Sequence, residues 1–295
     1  MPTTTFLCRL VGIVFIFLLS GCAGGGETIS SGETEEIRSS SLPRSGARIK
    51  VLSYNIHHGE GTDGRLDLPR IASVIRRTGA DIVALQEVDS MTRRARGIHQ
   101  TKVLAEAVGW QHHAFVRAMP YQGGDYGEAI LSRFPIFSPR PVPLVAPPGE
   151  EPRTAVEVVI HPWGDKNAPI RFVGTHLSHE STSTRLHQVA ALKSSLEGNA
   201  TPVVLAGDFN FTQQSGPYRL ISEGWLDAAR KFGRAQPTFP SRSPDRRIDY
   251  IFVRPAHRWR VISAEVISEP IASDHCPLLV ELELLPPTEE DLKAM

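Results

Sequence analysis

Cysteine is scarce, with Cys8, Cys22 and Cys276 the only three in 295 residues. No Cys/His pair has the spacing of a structural zinc site. If the first two belong to an N-terminal leader, one thiol remains, an internal disulfide is excluded, and stability must come from a core. Net charge is also lacking, Lys+Arg and Asp+Glu both numbering 32. A protein that coats DNA phosphates carries a basic surplus, so strong non-specific DNA binding is disfavoured. The apolar run from Leu10 to Leu19 is too short to span a bilayer comfortably. There is no repeat of fixed period. With 41% apolar and 22% charged residues, the chain is neither coiled coil, collagen-like nor wholly disordered. Its length suffices for a sizeable buried core.

What is present begins with the leader. Arg9 precedes the apolar run, and Leu19-Ser20-Gly21-Cys22 follows it. This resembles a bacterial lipoprotein signal, cut before Cys22, whose thiol then carries lipid. Ala23 resembles the outer-membrane sorting pattern. The expected organisation is a signal peptide over 1–21, a Gly/Ser/Glu-rich tether over 22–47, a catalytic domain over 48–286 and a tail over 287–295. The chain is therefore expected at the cell envelope, lipid-anchored, on the outer membrane or the periplasmic face. From Arg48 onward 29 basic and 28 acidic residues remain, so the domain is electrically balanced.

Strands and helices alternate through the domain. Strands are expected over 49–54, 82–85, 129–131, 203–206, 248–253, 261–267 and 277–284, and 155–160 with 170–175 reads as a hairpin. Asp67, Pro69 and Gly79 bracket one helix, and Leu186, Val189, Leu192 and Leu196 mark another. Asn55, Glu87, His176 and Asp208 each fall just beyond an apolar strand, where strands fix positions and loops admit a substrate. A cap or turn explains any one of them, but four together with Asp274-His275 point to a site.

Their chemistry is that of phosphoesters on a hard cation. Glu87 offers a carboxylate and Asn55 a neutral oxygen, a sparse set adequate for Mg²⁺. In Asp208-Phe209-Asn210 an extended backbone turns both polar side chains to one face and Phe209 to the core. Asp208 then suits acid/base work and Asn210 donates to a developing oxyanion; an Asx turn is the plain alternative. Asp249, within an apolar strand, needs a partner. His275 is one, oriented as a base for water and titrating near neutral pH; Arg246 or Arg247 is the other. Cys276 reads as a small buried residue opening a strand.

The ordered set Asn55, Leu85-Gln86-Glu87, Ile130-Leu131-Ser132-Arg133, Thr175-His176-Leu177, Gly207-Asp208-Phe209-Asn210, Ile248-Asp249-Tyr250 and Ser273-Asp274-His275 resembles the endonuclease/exonuclease/phosphatase superfamily over about residues 48–285. The resemblance implies a four-layer α/β/β/α sandwich, two facing mixed sheets flanked by helices, with the site at one end. It implies that Asn55 and Glu87 bind Mg²⁺, with Mn²⁺ as a substitute, and that His176 contacts phosphate. It further implies that Asp208 and Asn210 serve acid/base and transition-state roles, and that Asp249 orients the base His275. Asp274 is implied as an additional metal- or water-positioning carboxylate. Two departures stand out: His57 replaces an acid carried by some members, and Glu128 replaces an Asn, placing an acid near the pocket rim.

The substrate is expected to be a phosphate ester of a lipid or small polar head group, with no obligate protein partner. Basic clusters at Arg93, Arg94 and Arg96 and at Arg242, Arg246 and Arg247 are candidates to hold it, Arg246 and Arg247 foremost. An envelope-exposed nuclease acting on DNA or RNA is the alternative, and a non-catalytic binding module on the same fold is a third reading.

Overall fold

The computed structural model describes residues 47–294 apart from 165–167, 199 and 234. The expected signal peptide, Cys22 and almost all of the tether lie outside the described residues. The first strand, β1 (Ala47–Asn55), starts one residue inside the expected tether. The expected tail holds a short helix, Glu289–Ala294.

Two six-stranded mixed sheets, flanked by helices, make the sandwich that the sequence leads one to expect. The first sheet runs β11 (Trp259–Val266), β12 (Leu278–Leu284), β1, β2 (Ile82–Ser90), β4 (Gly124–Ser132) and β3 (His112–Tyr121). The second runs β5 (Ile136–Leu144), β6 (Arg153–Ile160), β7 (Ile170–His176), β8 (Val203–Asp208), β10 (Asp249–Arg254) and β9 (Leu226–Asp227). Each sheet has one parallel pair near its centre, β1 with β2 and β7 with β8. Strands covered on both faces read as continuous apolar runs, which is why β7 and β8 are buried throughout.

Between the sheets pack Ile49, Val51, Ile130, Phe172, Ile251 and Val280. On the outer face of the first sheet lies α1 (Leu68–Thr78), with Ile71, Val74 and Ile75 buried against Leu52 and Tyr54. Asp67 caps it by accepting from the Arg70 amide at 3.0 Å, and Gly79 ends it at φ 64°. The second helix, α2 (Gln100–Val108), packs beside α1. The second sheet is covered by α3 (Thr182–Leu196) and α4 (Gly216–Ser222), whose Val189, Leu192 and Tyr218 meet Phe209, Tyr250 and Phe252.

Strand ends place the site. In register, Asp208 of β8 lies opposite His176 of β7 and Asp249 of β10. In the facing sheet Asn55 closes β1, and Glu87 sits beside it at a bulge within β2. Gly207 permits the close approach of β7 and β8 here, since a Cβ on it would stand 2.1 Å from the Thr175 carbonyl oxygen.

Candidate active site

One amide ties the two sheets together. Asn55 Nδ2 donates to Glu87 Oε1 at 2.9 Å and to Asp208 Oδ2 at 3.1 Å, and lies 3.5 Å from His275 Nε2. Asn55 Oδ1 accepts from the His57 amide at 3.0 Å. The segment carrying His275 is fastened to β1 by Ser273, whose hydroxyl donates to the Asn55 carbonyl at 2.7 Å and accepts from the His275 amide at 3.2 Å. Glu87 interrupts β2 at a bulge, with φ 59°, and this turns its side chain into the pocket.

His275 and Asp249 are paired as expected, Nδ1 lying 2.9 Å from Oδ2 with both residues buried. Arg246 and Arg247, the alternative partners, are engaged elsewhere. Burial opposes charge on the imidazole, but Asp249 and Asp208 outweigh it and carry its pKa up to about 10, not near neutrality. Burial likewise raises the Asp208 carboxyl; His275 opposes that shift and Asp249 adds to it. Asp208 Oδ2 is 3.6 Å from His275 Nε2, too far for a hydrogen bond but close enough that the two groups titrate together.

His176 is held by an arginine that the sequence reading missed. Arg153, nearly solvent-free, donates to His176 Nδ1 at 3.1 Å, to His179 Nδ1 at 3.1 Å and to the Tyr126 hydroxyl at 3.3 Å, and pairs with Glu151 at 2.9 Å. A guanidinium only donates, so Nδ1 accepts and the His176 proton resides on Nε2, 3.4 Å from Asp208 Oδ2; the Asn210 NH2, 3.0 Å from Nε2, is then a neighbouring donor whose hydrogen bond goes to the Leu177 carbonyl. Burial, with Arg153 adding, holds the His176 pKa well below its ordinary value and keeps the ring neutral. A charged residue opening the buried strand β6 was the signal that could have found Arg153.

Asn210 reaches the site differently from the extended geometry expected. Its φ is 50°, and its backbone N–H donates to Asp208 Oδ1 at 2.9 Å, an Asx turn. Cap and site coincide here: the turn swings the side chain toward His176 while Phe209 points into the core.

The pocket measures about 490 Å³ and is lined by Glu87, His176, Asp208, Asn210, Asp274 and His275 with Arg94, Arg153, Arg246, Tyr121 and Tyr126. Asp274 stands in its wall but joins neither of the two clusters in which three ligand atoms lie within 4.8 Å, namely Asp208, Asp249, His275 and His57, His58, Glu87.

Three expectations need correction. Arg247 does not face the pocket: it grips Asp227 through two bonds of 2.8 and 2.6 Å and lies over the Tyr250 ring, because β10 turns it toward the helical layer. Glu128 is not at the rim but fully buried, since strand alternation gives it the inter-sheet face it shares with Ile130. Arg93, Arg96 and Arg242 are exposed and do not line the pocket, the Arg242 guanidinium being spent on the Thr62 carbonyl at 2.6 Å. Cys276 is buried ahead of β12, as expected of a packing residue.

Carboxylates, an amide and imidazoles gathered where two sheets end, with no serine or cysteine among the lining residues, define a site for activating water against an anionic ester. The chain belongs to the endonuclease/exonuclease/phosphatase family, whose model matches residues 52–275, and is thereby a phosphoester hydrolase. It is 31% identical over 253 residues to the uncharacterized protein YbhP of Escherichia coli K12, covering 80% of this chain and 96% of that one. An endonuclease/exonuclease/phosphatase structure from Beutenbergia cavernae superposes with TM-score 0.69 at 27% identity, over 81% of this chain and 72% of that one. The fold is also that of a mannosyl-6-phosphatase from Bacteroides thetaiotaomicron, TM-score 0.64 at 24% identity, over 79% of this chain and 99% of that one.

Proposed function

We propose that this chain is a Mg²⁺-dependent phosphodiesterase or phosphatase, held at the cell envelope by lipid on Cys22 and acting on lipid or small polar head groups. The observation that carries the substrate class is the compactness of the cationic surface. Arg94 and Arg246 line one pocket of about 490 Å³, with the buried Arg153 in its wall, while Arg247 is buried against Asp227. A nuclease that tracks a backbone needs an extended basic strip. A pocket of this size suits one phosphate and its nearest substituents. Arg94 is fixed by Asp89 through bonds of 2.7 and 3.0 Å and stacks on Tyr121, which pre-orders it for an anion.

Glu87 supplies the carboxylate a magnesium ion needs, with Asp208 beside it; Asn55 turns its NH2 to both, its oxygen held by the His57 amide, and would offer that oxygen to the ion on flipping its amide. When bound there, the ion supplies neutralisation of a phosphate oxygen. The remaining work falls to the chain. With a proton on Asp208, whose carboxyl burial raises, and none on His275 Nε2, that nitrogen is free to take a proton from the attacking water, while Asp249 holds Nδ1–H. The water oxygen bonds to phosphorus as the ester P–O bond breaks, and Asp208 passes its proton to the departing oxygen. His176, kept neutral with its proton on Nε2, and the Asn210 amide donate to the oxygens of the five-coordinate phosphorus. Asp274, in the pocket wall, orients the water.

The test is hydrolysis of an aryl phosphodiester, phospholipid vesicles and plasmid DNA at matched Mg²⁺, with Glu87→Ala as blank. Cleavage of the small ester and of lipid is expected. Efficient DNA cutting with a steep salt dependence and untouched lipid would replace this reading with the nuclease.

A further inference from the structure

Beside the Asn55 position, sharing only Glu87 with it, lies a cluster with the makings of a second metal site. Ligand atoms of His57, His58 and Glu87 lie within 4.8 Å of one another. The turn that brings them together is rigid. Gln100 Nε2 donates to the His58 carbonyl at 2.6 Å, the His57 amide is bound by Asn55, and Gly59 leaves no room for a Cβ beside Leu68.

Each imidazole is prepared differently. His57 Nδ1 lies 3.0 Å from the Glu60 carbonyl, which only accepts, so the proton sits on Nδ1 and Nε2 keeps its lone pair. His58 Nδ1 is sealed from solvent and has no hydrogen-bond partner among the described residues. A buried ring nitrogen left idle costs free energy and calls for an explanation. Glu87 has one oxygen engaged by Asn55. The backbone supplies a further observation. His57, His58 and Glu87 stand at φ 45°, 44° and 59°, a left-handed conformation that non-glycine residues adopt at a cost. Three such residues converge on one point. Arg94, the cation whose charge bears on His58, is held toward Asp89 by two bonds.

We propose that His57, His58 and Glu87 bind a first-row divalent ion that prefers nitrogen, Zn²⁺ foremost, as a second metal position beside the Asn55–Glu87 pair. Two imidazoles and one carboxylate form a set that suits zinc and leaves a position open for water or an anionic oxygen. Magnesium, which demands oxygen donors, has no preference for it. The site would put a second positive charge next to the pocket through the shared Glu87. It does not require that the Asn55 position takes Mg²⁺.

The experiment is Co²⁺ and Zn²⁺ uptake by the full chain after chelation, read by metal content and, for Co²⁺, by visible absorption. Wild type should bind Co²⁺ with the absorption of a nitrogen-ligated ion. His57→Gln and His58→Gln should each weaken binding at least about tenfold, the range typical of even indirect damage to a metal site. The double variant should lose the ion and the band while its circular dichroism and metal-free melting stay as in wild type. A folded double variant with unchanged stoichiometry and spectrum overturns the proposal, as does a wild-type chain that takes up neither ion. If the double variant does not fold, the two single variants decide by the same criteria. Mg²⁺-dependent turnover is measured separately. Its absence in wild type removes the Asn55–Glu87 reading and leaves uptake by the histidines to stand or fall alone.

Discussion

Replacing Asp249 with asparagine probes the site at its most enclosed charge. The side chain is 1% exposed, Oδ2 lies 2.9 Å from His275 Nδ1, and Oδ1 has no partner among the described residues. Asparagine keeps the shape and removes the charge, with two consequences. First, the imidazolium formed on proton uptake loses a charge-assisted hydrogen bond, about 1.5–3 kcal/mol. Second, an amide nitrogen at the Oδ2 position donates to Nδ1 and drives the ring proton to Nε2, where Asp208 Oδ2 waits at 3.6 Å. That tautomer cannot accept a proton from water, and the bias toward it adds about 1–2 kcal/mol. Together the losses come to roughly 3–5 kcal/mol, on the order of 10²–10⁴-fold in kcat at about 1.4 kcal/mol per decade. The pH dependence has a definite sign. Asp249 raises the His275 pKa, and the base works when unprotonated, so removing that charge must lower the pKa and move the acid limb of the rate profile to lower pH. The assay is aryl phosphodiester hydrolysis across pH, with melting followed in parallel. Unchanged turnover and an unmoved acid limb, in a variant that melts like wild type, would refute the reasoning.

Arg153→Met should lower kcat/KM by about one to two decades by releasing His176 and His179, and Arg153→Lys should fail to rescue it because lysine lacks the guanidinium fork. Full activity in the lysine variant would contradict that positioning role. Arg247→Ala should leave Asp227 buried without its cation and cost about 3–5 kcal/mol in denaturant unfolding while KM holds, since neither residue lines the pocket. A KM effect without a stability loss would reverse the assignment. Cys22→Ser should shift the chain from the membrane fraction to the soluble one without altering melting; acyl mass on wild-type Cys22 is the complementary observation. Cys276→Ala should retain turnover, because the thiol is buried and its sulfur lies 3.7 Å from the Ser241 carbonyl, away from the reacting groups.

Central strands were legible in the sequence, as was β11 at one edge, whereas the edge strands β3 and β5 were not, for a physical reason. A strand buried on both faces must be an apolar run, so β1, β7 and β8 announce themselves. An edge strand owes nothing to that rule. The strand β5 contains Pro139, Pro141 and Pro143 and is mostly exposed, yet it pairs with β6 because an edge tolerates missing donors. The same holds for β3, and α2 escaped notice because it buries few large apolar residues.

By itself the sequence picked out the polar groups that gather at the strand ends. Polar residues ending apolar strands have fixed backbone positions, so Asn55, Glu87, His176, Asp208, Asp249 and His275 could be assembled from local pattern and order alone. Tertiary structure alone decided how those groups are charged and oriented. That Arg153 fixes the His176 tautomer, that Arg247 spends its charge on Asp227, and that Glu128 is sealed between the sheets all depend on contacts between segments far apart in the chain. The convergence of His57 and His58 on Glu87 is of the same kind, needing left-handed turns on two strands at once. Side-chain direction across a sandwich follows from which face a strand residue receives and from what the opposite sheet places there, and no local pattern carries that information.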